Sequence, residues 1–375
     1  MTLKVLVVDD TILFRKVVSE AAAAIPGVEV VGSAANGKIA LTRIRTLKPD
    51  ILTLDLEMPE MNGLELLETI RRESLDVGAI LISCLTLQGG DLTMKGFDLG
   101  AFDFITKPDG GSVEENITAI KDALAPRFKA FLAQKEYRRK LPAAVPARPV
   151  ATTLAPPRVP TPLAPIQPAA APSVPSPSRK GQRVDAVAIG ISTGGPNALT
   201  AMLPTLPGNM GVPFFIVQHM PPIFTASLAA TLNSRCAMHV KEAQNDERVL
   251  PDTVYIAPGG RQMKVVMAAD GATRLIKITD DPPENNCRPA VDYLFRSIAQ
   301  QYQGRATGVI MTGMGSDGSI GIRLMKRNGA YIIAQDEASC VVFGMPKAAI
   351  ATGTVDVVAP LGGIAAEILK SLGML

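Results

Sequence analysis

A proline- and alanine-rich segment at residues 141–180 divides this chain of 375 residues into two parts. The segment contains twelve prolines and nine alanines. Proline lacks a backbone N–H and favours extended conformations, so the segment cannot build a packed core. We interpret it as a semi-rigid linker that reaches up to ~120 Å when fully extended at ~3.1 Å per residue. An SH3-type ligand is the alternative, but aromatic residues and a repeated motif are absent from its sequence.

The charge of the chain is balanced outside this segment. Four of the 38 basic residues and none of the 35 acidic residues fall within 141–180, which leaves 34 basic against 35 acidic residues elsewhere. Nucleic-acid-binding proteins need a concentrated basic surface, so we expect no nucleic acid partner. The N-terminus lacks a signal-peptide layout, and no apolar run approaches the ~20 residues of a membrane span. Four scattered cysteines suit free thiols. We therefore predict a cytoplasmic protein without membrane insertion.

Residues 1–125, the first module, alternate apolar strand patterns with amphipathic helical patterns. Five such units predict an α/β domain with a doubly wound parallel sheet, which binds ligands at the carboxyl ends of its strands. The predicted strands are 4–8, 28–33, 51–54, 79–83 and 102–106.

Polar side chains follow four of these predicted strands. Asp9 and Asp10 follow the first, Asp55 the third, Ser83 ends the fourth and Lys107 follows the fifth. Clustered carboxylates repel one another unless a cation is present, so they indicate a hard metal such as Mg²⁺. The metal and the lysine could stabilise a phosphoryl group transferred to a carboxylate. Solvated acidic loops are the alternative, but they do not explain why all five residues fall at strand ends.

Three motifs of the first module resemble those of two-component receiver domains: VVDD at 7–10, LDLEMP at 54–59 and FITKP at 104–108. The resemblance covers the whole module and implies a flavodoxin-like fold. It implies that Asp55 accepts the phosphoryl group from a histidine kinase. It also implies that Mg²⁺ is coordinated by Asp10, Asp55 and the backbone carbonyl of Glu57. The residues implied to report phosphorylation are Ser83, Phe104 and Lys107.

Residues 183–375, the second module, again alternate strand and helix patterns, and a doubly wound parallel sheet fits them best. Residues 239–280 are rich in strand patterns and predict an antiparallel hairpin on the sheet. Between the modules, we assign residues 126–182 to a helical extension followed by the linker. The strands predicted in the second module are 185–191, 213–218, 253–257, 263–267, 274–278, 307–311, 331–334 and 355–358.

The first strand of the second module ends at Ser192, within the sequence GISTGGP at 190–196. A serine at a strand-to-helix turn exposes its hydroxyl beside free N–H groups, which suits a nucleophile and an oxyanion. We expect N–H groups near Thr193 and Gly194, with Met314, to hold that oxyanion. The segment 190–194 also fits the nucleophile-elbow pattern. A dinucleotide-binding loop is the alternative, but Ser192 occupies the position of its second glycine.

Two further strand ends carry His219 and Asp317. A histidine can take the proton of a serine hydroxyl, and a buried carboxylate can orient the imidazole. His239 lies inside a predicted strand and is expected to be structural, while Asp336 competes with Asp317 for the carboxylate role. The order serine, histidine, aspartate differs from that of α/β-hydrolases, which disfavours a lipase-like fold.

The second module resembles the effector domain of chemotaxis protein-glutamate methylesterases, and the order receiver, linker, effector also agrees. The matching motifs are GISTGGP at 190–196, QHMP at 218–221, CRPAVD at 287–292, TGMGSDG at 312–318, AQDE at 334–337 and FGMP at 343–346. The resemblance implies a Rossmann-like domain with the triad Ser192, His219 and Asp317 and with no cofactor in the esterase site.

The substrates that this resemblance implies are the methyl esters of glutamates on chemoreceptors, together with certain receptor glutamines, which are deamidated. It further implies that the unphosphorylated receiver covers the active edge and that phosphorylation uncovers it. Two other classes remain. A receiver-controlled DNA-binding regulator is disfavoured by the charge balance and by the lack of a terminal helix-turn-helix pattern. A receiver-linked hydrolase of small esters or amides is less well excluded.

Overall fold

The computed structural model describes residues 2–140 and 183–375. The predicted linker at 141–180 lies outside the described residues.

The first module contains one sheet of five parallel strands in the order β2-β1-β3-β4-β5. All five predicted strands are confirmed to within one residue. The central strand β3 is buried at every position, because helices cover both faces of the sheet. The elements are β1 (Leu3–Val8), α1 (Ile12–Ala23), β2 (Val28–Ala34), α2 (Gly37–Leu47), β3 (Ile51–Asp55), α3 (Gly63–Arg72), β4 (Gly78–Ser83), α4 (Leu87–Asp98), β5 (Asp103–Thr106) and α5 (Val113–Lys140).

Helix α5 contains the predicted helical extension. The helix has 28 residues and runs without a break past residue 125. Lys135 Nζ in its second half lies 2.5 Å from Asp50 Oδ1, and Arg127 Nε lies 3.2 Å from Asp103 Oδ2. The extension is thus held to the first module by ion pairs, and the boundary at residue 125 stays a prediction.

The second module is built on seven parallel strands in the order β14-β13-β12-β6-β7-β9-β8. Every predicted strand is confirmed to within two residues. Its strands are β6 (Ala186–Ile191), β7 (Phe214–Gln218), β8 (His239–Glu242), β9 (Thr253–Ile256), β10 (Gln262–Met267), β11 (Arg274–Thr279), β12 (Ala306–Ile310), β13 (Tyr331–Gln335) and β14 (Val357–Ala359). Its helices are α6 (Gly195–Met202), α7 (Phe224–Asn233), α8 (Val291–Tyr302), α9 (Ser319–Arg327), α10 (Met345–Ala351) and α11 (Leu361–Ser371).

The predicted antiparallel hairpin is present, as strands β10 and β11. It forms a separate two-stranded sheet instead of extending the parallel one. The Ser297 hydroxyl of α8 accepts a hydrogen bond of 3.1 Å from the backbone N–H of Val265, which ties the hairpin to the helix. The fold class is therefore as predicted, with two doubly wound parallel-sheet domains.

The two modules contact each other through helix α4 and the first helices of the second module, α6 and α7. Arg235 donates two hydrogen bonds, of 2.9 and 2.5 Å, to the carboxylate of Asp98 across this contact. Close by, the Asn197 side chain donates to the carbonyl of Ala101 at 3.3 Å. In the described ranges, no helix has both the length and the apolar composition needed to cross a membrane.

Candidate active site

The acidic residues of the first module meet at the carboxyl edge of its sheet, as predicted. Carboxylate oxygens of Asp9, Asp10 and Asp55 lie within 4.8 Å of one another. Lys107 Nζ lies 3.0 Å from Asp9 Oδ2 and 2.7 Å from Asp55 Oδ2. Asp9 and Asp55 are buried, whereas Asp10 is exposed. Three hard oxygen donors with one side open to solvent fit a magnesium ion.

Burial and neighbouring charges shift the pKa values of Asp9 and Lys107. Burial raises the pKa of Asp9, and the nearby Asp55 adds to the rise, although Lys107 opposes both. Burial alone would lower the pKa of Lys107, but its bonds to Asp55 and Asp9 outweigh burial and raise it. The lysine therefore stays charged and supplies one positive charge beside the acceptor candidate Asp55.

The remaining residues that the receiver resemblance singles out, Ser83, Phe104 and Glu57, lie in three different surroundings. Ser83 is buried at the end of β4, and its hydroxyl donates to the carbonyl of Gly89 at 3.1 Å. The Phe104 ring lies 4.6 Å from the ring of Phe224 in the second module, measured between centroids. Glu57 follows β3, and its backbone N–H lies 3.4 Å from Asp55 Oδ1. A metal-ligand role for the Glu57 carbonyl stays a prediction.

Ser192 follows β6, the central strand of the second sheet, at a sharp turn into α6. Its N–H donates to the carbonyl of Thr312 at 3.0 Å, which ties the turn to the end of β12. Gly194 has a φ of 78°, in the region that favours glycine. A Cβ there would lie 2.5 Å from the side chain of Val341, so this turn also requires glycine for space.

His219 and Asp317 are brought together as predicted. His219 follows β7, and its Nε2 lies 2.8 Å from Asp317 Oδ2. The competing residues lie elsewhere: Asp336 accepts hydrogen bonds from Ser339, and His239 begins β8 with an exposed side chain. Strands β12, β6 and β7 are neighbours, so their ends present the three residues side by side.

Asp317 is held by the N-terminus of α8 as well as by His219. Its carboxylate accepts backbone N–H bonds from Val291 at 2.6 Å and from Asp292 at 3.0 Å. The Asn285 side chain donates a further bond of 3.0 Å. Burial opposes ionisation, but these bonds and His219 outweigh it, so the pKa of Asp317 lies below its usual range. The carboxylate is thus ionised and fixed in orientation.

The pKa of His219 is shifted by its burial and by its hydrogen bonds. Burial favours the neutral ring, but hydrogen bonds with Asp317 and Cys287 outweigh it and raise the pKa of His219 to about 9. Nδ1 is directed away from Asp317 and lies 3.6 Å from the sulfur of Cys287. Because Nε2 is bound to Asp317, Nδ1 is the nitrogen left to accept a proton from a nucleophile.

Ser192 and His219 line one cavity of about 670 Å³. In the ranges that the structure describes, no hydrogen bond joins their two side chains. The backbone N–H groups of Thr193, Gly194 and Met314 donate no hydrogen bond to another described residue. Thr193 and Met314 also line the cavity. The role of these three residues in holding an oxyanion beside Ser192 stays a prediction.

The cavity is closed on one side by the first module. Phe104, Thr106, Pro126 and Arg127 all contribute to its lining. The carboxyl edge of the second sheet that carries Ser192 and His219 is thus covered in this arrangement. The positions of Asn285 beside Asp317 and of Val341 against Gly194 were not anticipated, because neither belongs to a strand end.

Comparison with known proteins gives two family models. Residues 187–368 match the CheB methylesterase model, and residues 5–118 match the response regulator receiver domain model. A protein-glutamate methylesterase/protein-glutamine glutaminase of Desulfotalea psychrophila is 51% identical over 99% of this chain and 98% of its own length. A protein of the same name from a Nocardioides species is 40% identical over 99% of this chain and 95% of its own.

A solved structure is also similar to part of the chain. The crystal structure of the Thermotoga maritima CheB methylesterase catalytic domain is 42% identical, covers 50% of this chain and 98% of that domain, and has a TM-score of 0.48. The full-length relatives carry the assignment, because they match both modules in one chain. This chain therefore belongs to the CheB methylesterase family, in the form that carries an N-terminal response regulator receiver domain.

Proposed function

We propose that this protein hydrolyses the methyl esters of glutamate side chains on chemoreceptors, releases methanol, and deamidates receptor glutamines to glutamate. The proposal is carried by one observation: the ends of adjacent strands present Ser192 and His219 to a single cavity, and Asp317 is bound to His219 at 2.8 Å. Membership of the family supports the substrate class, since its relatives are named for both activities.

In the proposed first half-reaction, Ser192 Oγ attacks the ester carbonyl while His219 Nδ1 takes the hydroxyl proton. The N–H groups of Thr193, Gly194 and Met314 stabilise the oxyanion, and one such donor is typically worth about 3 kcal/mol. The bond from the carbonyl carbon to the methoxy oxygen then breaks, and His219 returns the proton to form methanol. Asp317 stabilises the imidazolium throughout this step.

The second half-reaction frees the enzyme. A water molecule gives a proton to His219 Nδ1 as its oxygen attacks the acyl carbon. Collapse of this intermediate returns the proton to Ser192 Oγ and leaves the glutamate side chain. Glutamine follows the same course with ammonia as the leaving group. Ammonia leaves less readily than methanol, so deamidation depends more strongly on the imidazolium of His219 as acid.

Phosphorylation of Asp55 by a histidine kinase is the proposed control. Asp10, Asp55 and the backbone carbonyl of Glu57 would hold Mg²⁺, which supplies positive charge to the phosphoryl oxygens. Lys107 contributes the second positive charge from 2.7 Å. The clustered carboxylates and the partly buried ammonium support this assignment.

The proposed effect of phosphorylation is to uncover the cavity. Phe104 connects the two sites, since it belongs to the receiver, lines the cavity and packs on Phe224. Rearrangement of Ser83 and Phe104 around a phosphorylated Asp55 would weaken that packing and shift the population toward an open form. The open form admits a receptor helix, which the covered cavity excludes.

The experiment is to incubate the full chain with membranes that carry methyl-labelled chemoreceptors, with and without a phosphodonor. We expect labelled methanol to be released, and faster release with the phosphodonor and Mg²⁺. A small methyl ester offered in parallel tests the alternative substrate class. Turnover of the small ester without release from receptors would overturn the proposal.

A further inference from the structure

Cys287 closes a two-residue turn at the rim of the cavity. Glu284 and Cys287 exchange backbone hydrogen bonds of 3.1 and 2.8 Å. The two residues between them, Asn285 and Asn286, have φ values of 52° and 59°. Asparagine tolerates this left-handed conformation, and two such residues in succession are typical of a type I′ turn. Asn285 also donates to Asp317, so the turn is tied directly to the triad.

The turn places the thiol beside the imidazole at a separation that suits a metal ion. The sulfur of Cys287 lies 3.6 Å from Nδ1 of His219. A tetrahedral zinc ion has bonds of about 2.3 Å to sulfur and about 2.0–2.1 Å to nitrogen, which puts these two ligands about 3.6 Å apart. The two donors thus span one edge of a zinc tetrahedron without moving the backbone.

Asp317 is the third potential metal ligand beside His219 and Cys287. A ring nitrogen of His219, the Cys287 sulfur and a carboxylate oxygen of Asp317 all lie within 4.8 Å of one another. Asp317 is bound to Nε2, on the opposite side of the ring from the thiol. A carboxylate behind a histidine is the usual support of a metal-binding imidazole, because it fixes the ring and increases its basicity.

We propose that Cys287 and His219 form an inhibitory binding site for a thiophilic divalent cation, zinc in the first instance. The thiol and the imidazolium each lose a proton to solvent, the resulting thiolate and neutral imidazole bind the ion, and water fills the remaining positions. Thiolate and imidazole select zinc over Mg²⁺ or Ca²⁺, which prefer oxygen. This site is therefore separate in chemistry from the acidic cluster of the first module.

Inhibition follows from the position of the site and rests on the proposed function. The metal ion occupies the imidazole that must take the proton of Ser192, so the ester cannot be attacked while the ion is bound. Removal of the ion by a chelator restores the free imidazole. The enzyme would thus respond to free zinc independently of phosphorylation.

Cobalt provides a test of binding that does not depend on activity. Full-length protein is treated with chelator, freed of it, and titrated with Co²⁺ while the absorption spectrum is recorded. Coordination by a thiolate gives a sulfur-to-cobalt charge-transfer band, whereas cobalt in the acidic oxygen cluster gives none. We expect the band in the parent chain and in Cys236→Ser, a matched control that keeps Cys287, and its absence in Cys287→Ser.

Zinc inhibition is then measured as methanol release, with each variant normalised to its own metal-free rate. Changing a residue behind a metal ligand already costs 10- to 100-fold in affinity, so loss of a direct ligand should raise the half-inhibiting zinc concentration by at least about tenfold. Cys236→Ser should behave as the parent. A charge-transfer band that persists in Cys287→Ser, or equal zinc sensitivity of all three proteins, would overturn the proposal.

The two proposals fail in different ways. If the metal-free protein releases no methanol from receptors, the proposed function is wrong, while the cobalt spectrum still reports on the Cys287 site. If the metal-free protein is active and no band appears, the zinc site is wrong and the function stands.

Discussion

The two strand-end sites of this protein belong to the same fold class but differ in their access to solvent. In the first module, buried Asp9 and Asp55 are bound to Lys107, and Asp10 remains exposed beside them. In the second, Ser192 and His219 line a cavity that residues of the first module help to close. A doubly wound sheet fixes where a site forms. The side chains at the strand ends determine the chemistry of the site, and the neighbouring module determines whether a substrate can reach it.

The largest effect is expected at the covered site, from Ser192→Ala. Removal of the hydroxyl abolishes the covalent route, and comparable serine hydrolases lose about 10⁶-fold in kcat on such a change. Methanol release from methylated receptors should fall to background, with or without phosphodonor. Thr205→Ala serves as the control. It removes a hydroxyl in the turn that follows α6, where Thr205 donates a hydrogen bond to the backbone carbonyl of Met202. Release above background in Ser192→Ala would exclude this serine as nucleophile.

Asp317→Asn should have the next largest effect, a loss of about 10⁴-fold in kcat, because the imidazolium loses its stabilising charge and the ring loses the partner that fixes its tautomer. The carboxylate helps raise the pKa of His219 to about 9, so the same variant should lower that pKa. An NMR titration of the chelator-treated protein measures it. Asp336→Asn, which changes the competing carboxylate, should alter neither quantity. An unchanged histidine titration in Asp317→Asn would contradict the assigned contact.

The sequence was sufficient for the parallel sheets and for the residues at their carboxyl ends. Apolar runs of four to seven residues identified the strands, and in a parallel sheet the strand ends share one edge. Asp55 ends a strand, and Lys107, Ser192, His219 and Asp317 come after strands, so their convergence could be anticipated without knowing the strand order.

Other features depend on contacts that no local pattern encodes. Cys287 reaches His219 through a turn 68 residues further along the chain. Val341 packs on Gly194 from a loop far beyond it, and only the assembled sheet brings them together. The hairpin of β10 and β11 was predicted as part of the sheet, but a strand pattern does not identify its partner. The covering of the cavity by the first module likewise depends on surface fit.

We expect phosphorylation at the acidic cluster of the first module to control access to the cavity of the second. The variant Asp55→Asn tests this dependence. The amide cannot accept a stable phosphoryl group, so stimulation by phosphodonor should disappear while the unphosphorylated rate persists. Removing Mg²⁺ from the parent chain should give the same result, because the carboxylate cluster then lacks its counter-charge. Asp76→Asn, at an exposed carboxylate of the same module, should keep full stimulation. Stimulation that survives in Asp55→Asn would place the phosphoryl group elsewhere.

The smallest expected effect comes from the contact between the modules. Arg235 and Asp98 form a two-bond ion pair there, and both side chains are about one-third exposed. An ion pair of this exposure contributes about 0.2–1 kcal/mol, so Arg235→Ala should raise the unphosphorylated rate by up to about fivefold. The rate of the phosphorylated enzyme should change less, because the proposed open form has already lost this contact.

The pair between Arg45 and Glu73 provides the matched control, since it is a partly exposed arginine–carboxylate pair of 2.6 Å within the first module. Arg45→Ala removes the same kind of charge and should leave the unphosphorylated rate unchanged. Methanol release by both variants, measured with and without phosphodonor, separates a loosened contact from a general loss of stability. If Arg235→Ala changes both rates by the same factor, the ion pair affects the catalytic module itself and does not hold the receiver over the cavity.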